Sequence, residues 1–156
     1  MKNIIIFFSL VFFILFSNNS FTLDYYLIIP GVSAGLFQLG KPIPNNADRI
    51  YGKPINYIPP DESEDSGIVE YKDGILIKLN DNKSKNNIYS IYITNNNSFK
   101  TTNGIKIGCS FHEVLNKFPI GKFSNDVNEA DYEWALNSGL AIFFSKDKVI
   151  RFCIFK

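Results

Sequence analysis

The sequence has few of the residues that enzymes most often use for chemistry. Its 156 residues include one histidine, one tryptophan and two cysteines. It contains neither a Gly-x-Ser-x-Gly nucleophile motif nor a glycine-rich phosphate loop. Sixteen basic residues nearly balance fifteen acidic ones, which leaves a formal net charge of +1. Because so balanced a chain offers no strongly basic surface, we expect no nucleic-acid partner.

The candidate reactive residues do not make a recognisable site. His112 comes three residues after Cys109, but it lacks the second histidine or acidic partner that a metal site needs. The acidic run 61–65 lacks the spacing of a calcium loop, which favours a solvated loop. We therefore predict no catalytic residue, no metal and no cofactor. The alternative is a small exported hydrolase or thiol-dependent enzyme that uses Cys109, since a cysteine at a helix start acquires a lowered pKa.

Charged residues are also missing from positions 4–16, a run of almost entirely apolar residues that follows Lys2 and precedes a polar stretch. This layout is typical of a secretory signal peptide. The run is shorter than the roughly 20 residues that span a bilayer. An uncleaved signal anchor is the alternative, because Ser17 and Ser20 are imperfect cleavage positions. We predict a signal peptide at residues 1–20, a periplasmic or secreted protein, and no stable membrane anchor once the signal is cleaved.

The rest of the chain presents the same order of parts twice. A short strand ends in glycine, a short helix stops at glycine or proline, and an acidic linker leads into a β-hairpin. The first set covers residues 35–54 with the hairpin 71–93, and the second covers 103–122 with the hairpin 137–155. We expect an α+β fold of two tandem repeats, each a short helical segment packed on an antiparallel β-sheet. The predicted domains are 21–97 and 98–156.

The second helix has the clearer sequence signals. Ser110 is a suitable N-cap, and Glu113 three residues later completes a capping box. Pro119 ends the helix because it disfavours a helical residue before it and has no N–H of its own. The apolar residues between these signals fall on one helical face: Phe111, Val114, Leu115 and Phe118.

This second segment resembles a known group of proteins. The residues that carry the resemblance are Gly104, Ile105, Ile107, Gly108, Ser110, Glu113, Val114 and the hairpin 139–154. They resemble the β-lactamase-inhibitor-protein fold, which is shared with the small outer-membrane assembly lipoproteins of the SmpA/OmlA type. The resemblance implies an exported, non-catalytic protein that binds other proteins through its sheet or loops. The chain lacks the lipidated cysteine of those lipoproteins, and no inhibitor contact loop is matched.

The two cysteines both belong to the second predicted repeat. Export would place them where disulfides form. Cys109 follows the first strand of that repeat and Cys153 lies in its last strand. We predict a disulfide between them if these strands are neighbours, and two buried thiols are the alternative.

Alternation in the two hairpins separates two faces of the sheet. We assign one face to the helices: Ile75, Ile77, Leu79, Ile91, Ile93, Leu140, Ile142, Phe144, Ile150, Phe152 and Ile154. The opposite face should be polar if it meets only water. It nevertheless carries aromatic and apolar side chains around Arg151, and Val149 and Cys153 are among the apolar ones. Aromatic side chains around an arginine are typical of protein interfaces.

The sequence therefore predicts an interface on this second face, made of Leu76, Tyr92, Phe143, Arg151 and Phe155. The alternative is that the two halves or a second copy cover the face. The expected function is an exported, non-catalytic protein-binding module of the inhibitor, immunity or envelope-assembly type. Its protein partner is not identified by the sequence.

Overall fold

The computed structural model describes residues 24–59, 66–82, 85–96, 98–125, 127 and 129–156. The predicted signal peptide and the acidic run 61–65 lie outside these residues. Within the described part of the chain, no helix has the length and apolar character needed to cross a membrane.

The described residues form twelve strands and two helices. The strands are β1 Leu27–Ile29, β2 Ser33–Ala34, β3 Phe37–Gln38, β4 Pro54–Ile58, β5 Ser66–Tyr71, β6 Ile75–Asn82, β7 Lys85–Thr94, β8 Lys100–Thr101, β9 Lys122–Ser124, β10 Tyr132–Leu136, β11 Leu140–Ser145 and β12 Lys148–Ile154. The helices are α1 Ala47–Tyr51 and α2 Phe111–Lys117.

Eight strands form one antiparallel sheet in the order β4-β5-β6-β7-β12-β11-β10-β9. Each half is a meander of four consecutive strands, and the halves join where β7 pairs with β12. The two predicted hairpins are confirmed, because β6 pairs with β7 and β11 pairs with β12. The β11–β12 turn is tight because Lys146 and Asp147 both adopt positive φ, as a two-residue type I′ turn requires.

The apolar face predicted from the hairpins is confirmed as the core, apart from one position. We call it the inner face. Ten of its side chains are at most 2% exposed: Ile75, Ile77, Leu79, Ile91, Ile93, Leu140, Ile142, Phe144, Phe152 and Ile154. Burial of such a side chain contributes about 1.5–3 kcal/mol, so this face is the main source of stability.

A second, smaller sheet packs on the inner face together with the helices. Its strand order is β3-β2-β1-β8, and β1 pairs with β8 in parallel. Ile28 and Phe37 from this sheet are fully buried in the same core. Tyr51 at the end of α1 ties the layers together, because its hydroxyl donates to the Tyr25 carbonyl at 2.6 Å and accepts the Leu36 N–H at 3.0 Å.

The predicted α+β fold with repeated helices is wrong. The structure is 49% strand and 10% helix, and the smaller sheet was missed. The helix expected within 41–51 shortens to α1 because Pro42 and Pro44 cannot donate backbone hydrogen bonds inside a helix. Instead Pro42 bridges to Asn87. Strand β1 pairs with β8 across the predicted domain boundary at residues 97 and 98, and that boundary stays a prediction.

The start and end of α2 follow the sequence signals. Ser110 accepts the Glu113 N–H, while the Glu113 carboxylate accepts the Ser110 N–H at 2.7 Å, which completes the predicted capping box. The Val114 side chain of this helix is fully buried in the core. The helix ends at Lys117, two residues before Pro119. Capping and proline chemistry are local, and this explains why both ends could be predicted.

A β-bulge overturns the predicted alternation at the start of β12. The register shifts between Phe143 and Phe144, so that Phe143 lies opposite Arg151 and Phe144 lies opposite Val149. Val149, predicted for the second face, is therefore buried in the inner core. Ile150, predicted for the core, packs on the other side. An extra residue in one strand moves the residues before it to the opposite face of the sheet.

Candidate functional site

The other side of the eight-stranded sheet, which we call the outer face, carries a groove of about 760 Å³. Its floor comes from β6, β7, β12 and β11, and its sides come from β5, β10 and the segment before β10. Four of the five predicted interface residues line it: Leu76, Tyr92, Phe143 and Arg151. Phe155 packs beside the groove against a cluster that includes Cys153, and it is not part of the lining.

Part of the outer face is covered by the chain itself. Ala141, Phe143 and Cys153 are buried there, and Val127 and Ala130 pack against them. These last two residues precede β10, so the described part of the β9–β10 connection packs on the outer face over the second half of the sheet. The second face of the sheet, which was predicted to be an open interface, is therefore open only along the groove, beside Val127 and Ala130.

Arg151 is the central charged residue of the groove. Its guanidinium carbon lies 4.3 Å from the centroid of the Phe143 ring, within the range of a cation–π contact. Its Nη1 donates to Glu129 at 3.2 Å. The Arg151 side chain is 18% exposed and that of Glu129 is 82% exposed. The cation is thus held in the floor by a ring and by a carboxylate that stands at the rim.

A second cation–aromatic pair lies across the groove. The Lys78 ammonium nitrogen is 5.4 Å from the centroid of the Tyr92 ring. Burial, with a smaller effect of neighbouring Cys153, raises the pKa of Tyr92 to about 12. The Tyr92 hydroxyl therefore stays neutral at physiological pH and keeps a proton to donate. Together the two pairs combine apolar ring surface with fixed positive charge.

Seven further residues line the groove and were not predicted from the sequence: Glu70, Gly74, Lys78, Thr94, Val127, Glu129 and Glu133. Two of them could have been found, because Lys78 and Thr94 lie two positions beyond Leu76 and Tyr92 and so share their face. Gly74 adopts φ 76 in the β5–β6 turn, where a Cβ would collide with the Thr94 carbonyl. The other four come from segments that were not assigned to this sheet face.

The cysteines do not form the predicted disulfide. Both are free thiols. Cys109 packs against the inner core and Cys153 belongs to the cluster on the outer face. The sheet itself separates them, so no bond can join them without moving a strand.

Cys153 also lacks the setting of a nucleophile. Burial raises the pKa of Cys153 to about 11, although a hydrogen bond with Tyr92 acts in the opposite direction. Cys153 therefore stays protonated at neutral pH. The thiolate, which is the reactive form of a cysteine, is not populated there. Cys109 is half-buried and His112 is exposed on α2. Within the described residues, no group of three or more histidine, cysteine or acidic side chains could hold a metal ion.

Comparison with known proteins returned no family model, no curated protein and no solved structure that matches this chain. The resemblance to the β-lactamase-inhibitor-protein fold therefore stays an expectation that rests on the residues quoted for it.

Proposed function

We propose that the protein is an exported, non-catalytic protein-binding module whose partner docks in the groove on the outer face. The observation that carries the proposal is the pairing of Arg151 with Phe143 in the floor of an open groove. Arginine and aromatic side chains in partly desolvated pockets are the residues that most often dominate binding energy between proteins.

The contrast between the two faces supports this site over others. Among the described residues, the inner face is covered by the smaller sheet and the helices, and ten of its apolar side chains are at most 2% exposed. The outer groove keeps Leu76 and Tyr92 half-buried beside charged side chains. Its volume falls in the range of pockets that enclose a compact ligand, so a protruding loop of a partner fits better than a flat surface.

The charges of the groove suggest how a partner is oriented. Lys78 and Arg151 lie towards the floor, whereas Glu70, Glu129 and Glu133 contribute three carboxylates to the lining. Such a mixed arrangement favours one docking orientation and disfavours others, because like charges brought together cost several kcal/mol. The groove is therefore suited to selective binding.

The partner can be found by site-specific photo-crosslinking in the native envelope fraction. A photoreactive benzoylphenylalanine at position 76 should crosslink to a single protein. The matched control carries the same group at position 89, where Tyr89 is 60% exposed and does not line the groove, and should give no such product. Equal crosslinking from both positions would argue against a docking site in the groove.

Variants then measure the contribution of the groove to the affinity for that partner. Arg151→Gln should weaken binding by about 30-fold or more, since a hot-spot residue contributes at least about 2 kcal/mol. Lys53→Gln, an exposed charge change on another part of the surface, should leave the dissociation constant unchanged. An unchanged affinity in Arg151→Gln, with the fold intact by circular dichroism, would refute the proposal.

A further inference from the structure

The loop that follows α2 carries the most exposed large apolar side chain of the described residues. Ile120 is 81% exposed, and nearby Phe123 at the start of β9 is 51% exposed. Both lie at the β9 edge of the eight-stranded sheet and neither lines the groove. We call residues 117–123 the apolar tip.

The apolar tip is held in place by Trp134. The indole Nε1–H donates to the Phe118 carbonyl at 3.1 Å. Gly121 lies so close to the same indole that a Cβ at this position would collide with it. The Phe123 ring also packs against Tyr132, with 5.5 Å between ring centroids. Ile120 is therefore exposed on a backbone segment that Trp134 and Tyr132 hold in place.

The charged residues within the apolar tip have one sign. Lys117 and Lys122 are both exposed, on either side of Ile120. Residues 117–125 contain no aspartate or glutamate. Ile120 thus lies between the two lysines and Phe123 directly follows the second, and no acidic residue of this segment opposes them.

We propose that the apolar tip is a reversible contact site for an anionic lipid surface. Ile120 and Phe123 enter the boundary between headgroups and acyl chains, and the ammonium groups of Lys117 and Lys122 lie at the lipid phosphates. Lysines favour this occupant over a protein, because lysine is depleted at protein interfaces and contributes attraction to anionic membranes. The contact is independent of the groove and of the partner proposed for it.

Trp134 makes the contact measurable without a label. It is the one tryptophan of the chain and lies directly beneath the tip. The full chain is mixed with phosphatidylcholine vesicles that contain phosphatidylglycerol and carry bromine on their acyl chains, which quenches nearby indoles. We expect Trp134 quenching on anionic vesicles, little on purely neutral vesicles, and loss of quenching at high salt because surface charges are screened.

Four variants separate the tip from other routes to the vesicle. Ile120→Ser should lower the vesicle affinity by roughly tenfold, and adding Phe123→Ser should abolish quenching. Lys117→Gln with Lys122→Gln should lower it by about 30-fold. Val32→Ser, at a position that is 50% exposed elsewhere, should change nothing. Because Ile120 has few contacts to lose, Ile120→Ser remains informative if the double variant unfolds.

Three outcomes would overturn the proposal. One is the absence of quenching on anionic vesicles. Another is quenching that persists unchanged in the tip variants, which would assign vesicle binding to another part of the chain such as the apolar run 4–16. The third is a tip variant that loses affinity for a protein partner while Trp134 is never quenched, since the tip would then be a protein contact.

Discussion

Neighbouring residues of β12 lie in opposite surroundings on the two faces of the sheet. Phe152 is fully buried in the inner core, whereas Arg151 points to the outer face and meets the Phe143 ring and Glu129. The same strands therefore form a closed apolar layer on one side of the sheet and a charged, aromatic groove on the other. The comparison separates residues that stabilise the fold from residues that are available to bind.

The outer face is less favourable for stability than the inner one. Burying a cation or a neutral polar group costs free energy unless partners compensate. The free-energy cost of burying Arg151 is offset by the Phe143 ring and the Glu129 carboxylate. Cys153 avoids the cost of a buried charge by remaining protonated. A fully apolar outer face would be simpler to fold, so the retained charge is consistent with the binding role proposed for the groove.

The largest expected difference between the faces is in core truncation. Phe152→Ala should lower the free energy of unfolding by about 4 kcal/mol, because it opens a cavity in a fully buried layer. Phe143→Ala should cost about 2 kcal/mol, since its ring borders the groove and loses fewer contacts. Urea unfolding followed by circular dichroism measures both. Equal losses would mean that the outer face is as much a part of the core as the inner face.

The next effect is a pH dependence that belongs to the outer face. Burial raises the Cys153 pKa from 9.0 to about 11, so the folded state resists ionisation of this thiol more than the unfolded state does. Its contribution is fully present below pH 9 and is lost as the pH rises to 11, by roughly 2 kcal/mol. Between pH 9 and 11 the free energy of unfolding of the wild type should therefore fall more steeply than that of Cys153→Ala, which has no thiol to ionise. The same slope in both proteins between pH 9 and 11 would contradict the assignment.

The smallest effect concerns α2, which packs on the inner face. Ser110→Ala should destabilise the protein by about 1 kcal/mol, because it removes the side-chain acceptor of the capping box. Ser138→Ala, an exposed serine in the β10–β11 turn, is the matched control and should stay within about 0.5 kcal/mol of the wild type. Thermal unfolding of the three proteins decides it, and a cost no greater than that of the control would show that the cap is dispensable.

Local chemistry made part of this protein predictable. The hairpins, the inner-face residues and the ends of α2 follow from alternation, capping and proline, which act over a few neighbouring residues. The same alternation identified Leu76, Tyr92, Phe143 and Arg151, which the structure brings together in one groove. Each of these predictions depends on a pattern that is complete within one hairpin or one helix.

The remainder depends on contacts between distant parts of the chain. Strands β2, β3 and β8 have two residues each, too few for any periodic signal, and β8 joins this sheet only by pairing with β1 from a remote segment. The bulge that exchanges Val149 and Ile150 is a matter of register between two strands. The groove brings together residues of both halves of the sheet with Val127 and Glu129 from the segment before β10. The sequence by itself determined which residues are apolar and where they alternate, while tertiary packing decided which of them are covered, because burial depends on what the rest of the chain places above them.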